Sequence, residues 1–127
     1  MSAIEIPATE KTPAVRFLPD EGLFELSGSS IHENAHAFYK PLLQSMSDYA
    51  KQPKPVTQVL ISMPYFNSSS AKYILDLLKL LDDAHASGAS AVTLRWLHDA
   101  DDLDMEEAGH DYQELLDMNV EVVSVQD

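Results

Sequence analysis

The chain has 127 residues, no cysteine, and 21 Asp and Glu against 8 Lys and Arg, for a net charge of −13. This excludes a disulfide framework and thiolate metal sites, and it disfavours nucleic-acid backbones and anionic membranes as partners. With 45% hydrophobic residues, no signal-peptide-like start and nothing near the ~18 apolar residues of a membrane span, it reads as one soluble, cytoplasmic domain over residues 1–127.

Residues 1–13 are expected to be loosely ordered, with Pro7 and Pro13 as breakers. Val15 and Phe17 alternate with Arg16, the turn-forming run Pro19-Asp20-Glu21-Gly22 follows, and residues 23–26 resume a strand, so the two strands form a hairpin. Ala35, Phe38, Tyr39, Leu42, Leu43, Met46, Tyr49 and Ala50 repeat at helical spacing. Pro41 lies inside that helix and predicts a kink or restart, because it offers no N–H to the carbonyl four residues before it. Val59-Leu60-Ile61 is a continuous apolar run, the pattern of a central strand buried on both faces.

A second helix is predicted from about residue 69 to residue 86, with Ala71, Ile74, Leu75, Leu77, Leu78 and Leu81 on its buried side and Gly88 as its stop. Residues 91–97 form a strand, Met105, Ala108, Tyr112 and Leu115 mark a third helix, and Val120, Val122, Val123 and Val125 end the chain as a strand. The order β-β-α-β-α-β-α-β is that of an α/β fold, a mixed sheet of about five strands covered by helices.

Two runs imitate metal sites. His32-Glu33-Asn34-Ala35-His36 matches the zinc-hydrolase pattern of two histidines four apart around a glutamate base. It falls at a helix entry beside Ser29-Ser30, where both imidazoles would not project from one helical face, and acids there favour the helix N-terminus. The aspartates at 99, 101, 102 and 104 lack the glycine that a helix-loop-helix calcium loop needs, since Asp104 occupies its place. No metal and no cofactor is therefore expected. Nucleophile-elbow and phosphate-loop patterns are missing.

The remaining candidate is Tyr65-Phe66-Asn67-Ser68-Ser69-Ser70-Ala71-Lys72, which joins the central strand to the second helix. Asn and Ser cap helices there, yet three hydroxyls exceed what one cap uses. They sit at the carboxyl end of a central strand, where open α/β sheets place their sites, and at a helix N-terminus, which tolerates phosphate.

These residues, together with Thr12-Pro13, Gly28, His32-Glu33-Asn34-Ala35 and Leu94-Arg95-Trp96, resemble the SiaC family of bacterial regulatory phosphoproteins over nearly the whole chain. The resemblance implies a fold like that of STAS domains and a partner-switching role without catalysis. In that role a serine/threonine kinase with a histidine-kinase-like ATP fold phosphorylates the protein, a PP2C-type phosphatase reverses this, and the unphosphorylated form binds and activates a diguanylate cyclase, raising cyclic di-GMP and favouring biofilm growth. The family's acceptor threonine falls on Ser68, with Ser69 and Ser70 as alternatives. The family usually has proline where His32 stands. Glu33, Asn34, Tyr65, Phe66, Asn67 and Lys72 are the implied partner-binding residues. The rival readings are a STAS-type antagonist of an anti-sigma factor and a small zinc hydrolase built on His32, Glu33 and His36.

Overall fold

A computed structural model describes residues 2–125. Six strands form one sheet in sequential order: β1 (Ile4–Ile6), β2 (Ala14–Leu18), β3 (Leu23–Ser27), β4 (Val56–Ser62), β5 (Ala91–Asp99) and β6 (Asn119–Val125). The first three pair antiparallel, and β3 to β6 run parallel. Helices α1 (Ala35–Lys51), α2 (Ser68–Ala86) and α3 (Leu103–Leu115) make the three parallel crossovers. The architecture is the α/β mixed sheet that the sequence predicts, with β4 in the interior between β3 and β5.

The β2–β3 hairpin closes at a short 3-10 turn, Pro19–Glu21, which ends at Gly22 in the left-handed region (φ 66°). A side chain at Gly22 would also collide with the carbonyl oxygen of Val56, so both conformation and space require glycine there. Helix α1 runs unbroken through Pro41, so the predicted restart does not occur.

Two sequence expectations need correction. Residues 1–13 are not loosely ordered where described: Ile4, Glu5 and Ile6 pair with Phe17, Arg16 and Val15, and Thr9 and Thr12 close a turn through their hydroxyls at 2.6 Å. Strand β4 is also not buried on both faces. Thr57, Val59 and Ile61 are buried, whereas Gln58 is exposed and Leu60 half-buried. Successive strands advance in one direction across the sheet, so right-handed crossovers place all three helices on the same face. The other face stays open, and cross-strand ion pairs populate it: Arg16 with Glu25 at 3.3 Å and Arg95 with Glu121 at 3.5 Å. A depression of about 450 Å³ lies on this open face between Leu23, Gln58, Leu60 and Thr93.

The core between sheet and helices centres on Trp96, Tyr39, Phe24, Leu26, Met46 and Leu81. Trp96 donates its indole N–H to the carbonyl of Met105 at 2.8 Å and meets Tyr112 edge-on at 5.0 Å. This joins β5 to α3. On α3 the buried side is Met105, Gly109 and Tyr112, with Leu116 just past its end, while Leu115 is exposed. A Cβ at Gly109 would lie 2.6 Å from Trp96 Cδ1 and 2.9 Å from Val122 Cγ2, so glycine sets how closely α3 approaches the sheet.

Gly109→Ala should therefore destabilise the fold. Overpacking costs about 1–3 kcal/mol and opposes a helix-propensity gain of about 1 kcal/mol. Chemical denaturation should show a lower midpoint, and an unchanged or higher one would contradict the close approach. A second expectation concerns alkaline pH. Burial, reinforced by the charge of neighbouring Asp111, pushes the Tyr112 phenol up to about 12 from its ordinary 10. Above pH 10 the unfolded chain loses this proton while the folded chain keeps it, so stability falls as pH rises through about 12. Denaturation midpoints measured across that range should fall less steeply for Tyr112→Phe.

Candidate functional site

The parallel strands end on one rim, and the loops leaving β3 (residues 28–34) and β4 (residues 63–67) are tied together there. Gly28 N–H donates to Ser62 O at 2.9 Å, Ser30 N–H to Tyr65 O at 3.0 Å, and Asn67 N–H to Ser30 O at 3.0 Å. Ile31 N–H donates to Lys11 O at 2.8 Å, which adds the segment after β1 to the same cluster. Each donation satisfies a backbone group that a loop would otherwise leave to water.

The three consecutive serines have three different surroundings. Asn67 is the N-cap of α2, and its side-chain oxygen accepts from Ser70 N–H at 2.9 Å. Ser70 is fully buried, and its hydroxyl donates to Ser30 O at 2.9 Å. It accepts from the Ser30 hydroxyl at 2.7 Å, and Ser30 Oγ lies 2.7 Å from the Tyr39 hydroxyl. Since Ser30 uses its one proton toward Ser70, the Tyr39 phenol is the donor to Ser30. The protons thus run in one direction, from Tyr39 to Ser30 to Ser70 and back to the Ser30 carbonyl. Burial raises the Tyr39 pKa, and the bonds to Ser30 and Ser70 partly oppose this, so the phenol keeps the proton it donates.

Ser68 and Ser69 are exposed. They occupy the first two positions of α2, where backbone N–H groups have no partner inside the helix. Capping therefore uses Asn67, anchoring uses Ser70, and the other two hydroxyls are left facing solvent.

The surrounding candidates fall into two groups. Tyr65 is exposed, while Phe66 is half-buried and meets Trp96 edge-on at 6.0 Å. Lys72, one helical turn beyond Ser68, holds its ammonium 4.9 Å from the centre of the Tyr73 ring. Tyr73 stacks on Tyr39 at 5.7 Å and lies 3.1 Å, hydroxyl to Nδ1, from His36. At the start of α1, Asn34 is the N-cap and accepts from Ala37 N–H at 3.1 Å, with Glu33 exposed beside it. His32 lies outside the helix, and its Nδ1 accepts from Asn34 N–H at 2.8 Å. The two histidines therefore do not share a helical face. Among the described residues no group of three His, Asp or Glu side chains is placed to hold a metal ion. In the acidic run, Asp102 is the N-cap of α3 and accepts from Met105 N–H at 3.1 Å.

Sequence reasoning missed Ser30 and Tyr39, whose partners are distant in the chain. It also left Ser70 level with its neighbours. The separating signal was present, because Ser70 falls on the stripe of Ile74, Leu77, Leu78 and Leu81, one turn before Ile74.

A family model described as "SiaC family regulatory phosphoprotein" matches residues 6–125. The chain belongs to the SiaC family. A SiaC structure from Pseudomonas aeruginosa superposes with a TM-score of 0.88 at 26% identity, covering 98% of this chain and all of that one. A structure of the P. aeruginosa diguanylate cyclase SiaD in complex with its activator SiaC contains a chain that matches with a TM-score of 0.89 at 24% identity, over 96% of this chain and 99% of that one. An uncharacterized protein of P. aeruginosa strain UCBPP-PA14 is 28% identical over 114 residues, 90% of each chain.

The unequal serines predict unequal mutational costs in this SiaC-family fold. Ser70→Ala leaves Ser30 without two hydrogen-bond partners in a buried place and should cost about 1–3 kcal/mol. Asn67→Ala should cost about 1 kcal/mol through the lost cap. Ser68→Ala and Ser69→Ala should stay within about 0.5 kcal/mol of wild type. Thermal unfolding of the four variants checks this order, and a large loss at Ser68 would overturn the assignment.

Proposed function

We propose that this chain is a phosphorylation-switched regulatory binding protein of the cytoplasm, without catalytic activity of its own. In the unphosphorylated form it binds and activates a diguanylate cyclase, and phosphorylation at Ser68 releases the cyclase. A serine/threonine kinase with a histidine-kinase-like ATP fold adds the phosphate, and a PP2C-type phosphatase removes it. The observation that carries this reading is the division among the serines: Ser68 stands exposed at the first position of α2, Asn67 caps the helix, and Ser70 is locked inside. Membership of the SiaC family, and the activator role of P. aeruginosa SiaC toward SiaD, supply the class of partner.

The physics supports both halves of the switch. A phosphoryl group adds about −1.5 to −2 charges at neutral pH. At Ser68 it meets the positive end of α2 and unpaired N–H groups, so the fold tolerates it. An effector complementary to neutral hydroxyls does not. Enclosing a dianion without a partner costs several kcal/mol, against about −8 kcal/mol for a whole micromolar complex. Tyr65, Phe66, Asn67 and Lys72 adjoin the acceptor in the chain, Glu33 and Asn34 follow the loop bonded to Tyr65 and Asn67, and together they form the effector contact in this reading, with Ser69 the next accessible hydroxyl.

The test uses the kinase and the SiaD-type cyclase of the same organism. Wild type should take up one phosphate and Ser68→Ala none. Cyclase affinity should fall by about a hundredfold or more on phosphorylation, equivalent to about 2.7 kcal/mol or more, and remain wild-type in Ser68→Ala. Tighter binding by the phosphorylated form would reverse the sign of the switch. Undiminished labelling of Ser68→Ala would move the acceptor to Ser69.

A further inference from the structure

The rim extends beyond the acceptor loop. The loops after β4 and β5 face each other across a depression of about 210 Å³, lined by Ser62, Met63, Pro64, His98, Asp102 and Met105 among others. Met63 and Met105 are buried, and both are adaptable, polarizable side chains. Three apolar side chains open to water belong to this lining or directly adjoin it in the chain: Val125 (39% exposed) lines it, Tyr65 (59%) follows Pro64, and Leu103 (70%) follows Asp102. Leu103 is the first residue of α3, where no packing needs a leucine. Apolar side chains clustered around a concavity mark an interaction surface.

Charge gives this surface a direction. The acceptor side is mixed in sign, with Lys72 and Lys11 beside the exposed Glu33 and Glu10. Across the depression the exposed carboxylates of Asp99, Asp101 and Asp104 follow Arg95, and no Lys or Arg occurs after it. Asp102 is excluded from this set because its carboxylate caps α3.

We infer that this groove is a second half of the effector-docking surface, and that it receives a partner segment in which an apolar side chain is flanked by Lys or Arg. The inference rests on the switching role proposed above and adds the partner's chemistry. The apolar side chain fills the depression against Leu103 and Tyr65, and the cation pairs with Asp99, Asp101 and Asp104. The partner's opposite end, facing the side of mixed sign, needs no such cation. That difference gives one orientation of docking and places the partner's least favourable surface for a phosphate next to Ser68.

The test titrates the SiaD-type diguanylate cyclase of the same organism with unphosphorylated wild type, Leu103→Glu, Asp101→Lys and, as a control at the far end of α3, Leu115→Glu. Leu103, Asp101 and Leu115 are all exposed, so each variant should melt like wild type. Leu103→Glu and Asp101→Lys should each weaken binding by about tenfold or more, Leu115→Glu should bind normally, and wild-type affinity should fall as salt is raised. Wild-type affinity for both rim variants, or an affinity indifferent to salt, would overturn the groove while leaving the switch intact. A wild-type chain that does not bind the cyclase at all would remove the switching role and the groove together.

Discussion

The buried hydroxyl of Ser70 ties the first turn of α2 to the loop after β3, and the geometry of the rim depends on that tie. Without it, two loops at the end of a one-sided sheet would meet only through backbone groups that water competes for. Ser70 instead donates to the Ser30 carbonyl and accepts from the Ser30 hydroxyl, and Tyr39 closes the chain from α1. Three elements are thereby fixed relative to one another by groups with no solvent alternative. The Asn67 cap has its register from the same tie, because it accepts from the N–H of the residue whose side chain is locked. A second chain of buried hydroxyls, Tyr49 to Thr57 to Ser90, does similar work at the amino end of β4, with distances of 2.8 and 2.7 Å. Interior hydroxyls thus mark both ends of the interior strand, and apolar contacts fill the space between.

Much of this was legible in the sequence. Strong helical periodicity located all three helices, and the Pro19-Asp20-Glu21-Gly22 run located the hairpin, because each signal is local. The first strand was not legible: Ile4-Glu5-Ile6 is three residues of alternation beside Pro7, and its pairing with β2 is a tertiary fact. The apolar run in β4 misled in the other direction. Val59, Leu60 and Ile61 look continuous, yet Thr57-Val59-Ile61 and Gln58-Leu60-Ser62 alternate across the pleat, and the second set faces outward. At the rim, position in the chain pointed to the serine run, and helix periodicity could have separated Ser70 from its neighbours. Ser30 and Tyr39 could not have been found this way, since nothing near either residue in sequence indicates a partner 40 or 9 positions away.

The large negative charge is distributed in keeping with this architecture. On the open face of the sheet, acids are paired across strands with the chain's two arginines, Arg16 and Arg95. These pairs are about half exposed and contribute little stability individually. Their effect is to keep an uncovered sheet face polar. The unpaired acids concentrate on α3 and its approach, where Asp104 and Glu106 lie in the first turn and favour the positive end of the helix. The acids at the α3 end of the carboxyl rim are therefore accommodated without compromising the helix that begins there.

The separation of roles among Asn67, Ser68 and Ser70 bears on how such a site can signal. A hydroxyl that caps or anchors a helix cannot be esterified without loss of the bonds it makes, and the cost would appear as local unfolding. At Ser70 a phosphate would have to enter a fully buried site already occupied by Ser30. At Ser68 no such bond is lost, and the added charge lies where the helix end is most favourable to it. Modification there would change the chemistry of the surface without breaking the bonds that hold the loops. In the proposed reading, the switch would then act through complementarity with a partner and not through order and disorder of the protein itself. The anchor lies two residues from the proposed acceptor: Ser70 is bonded to Ser30, so a change at Ser68 would be expressed outward.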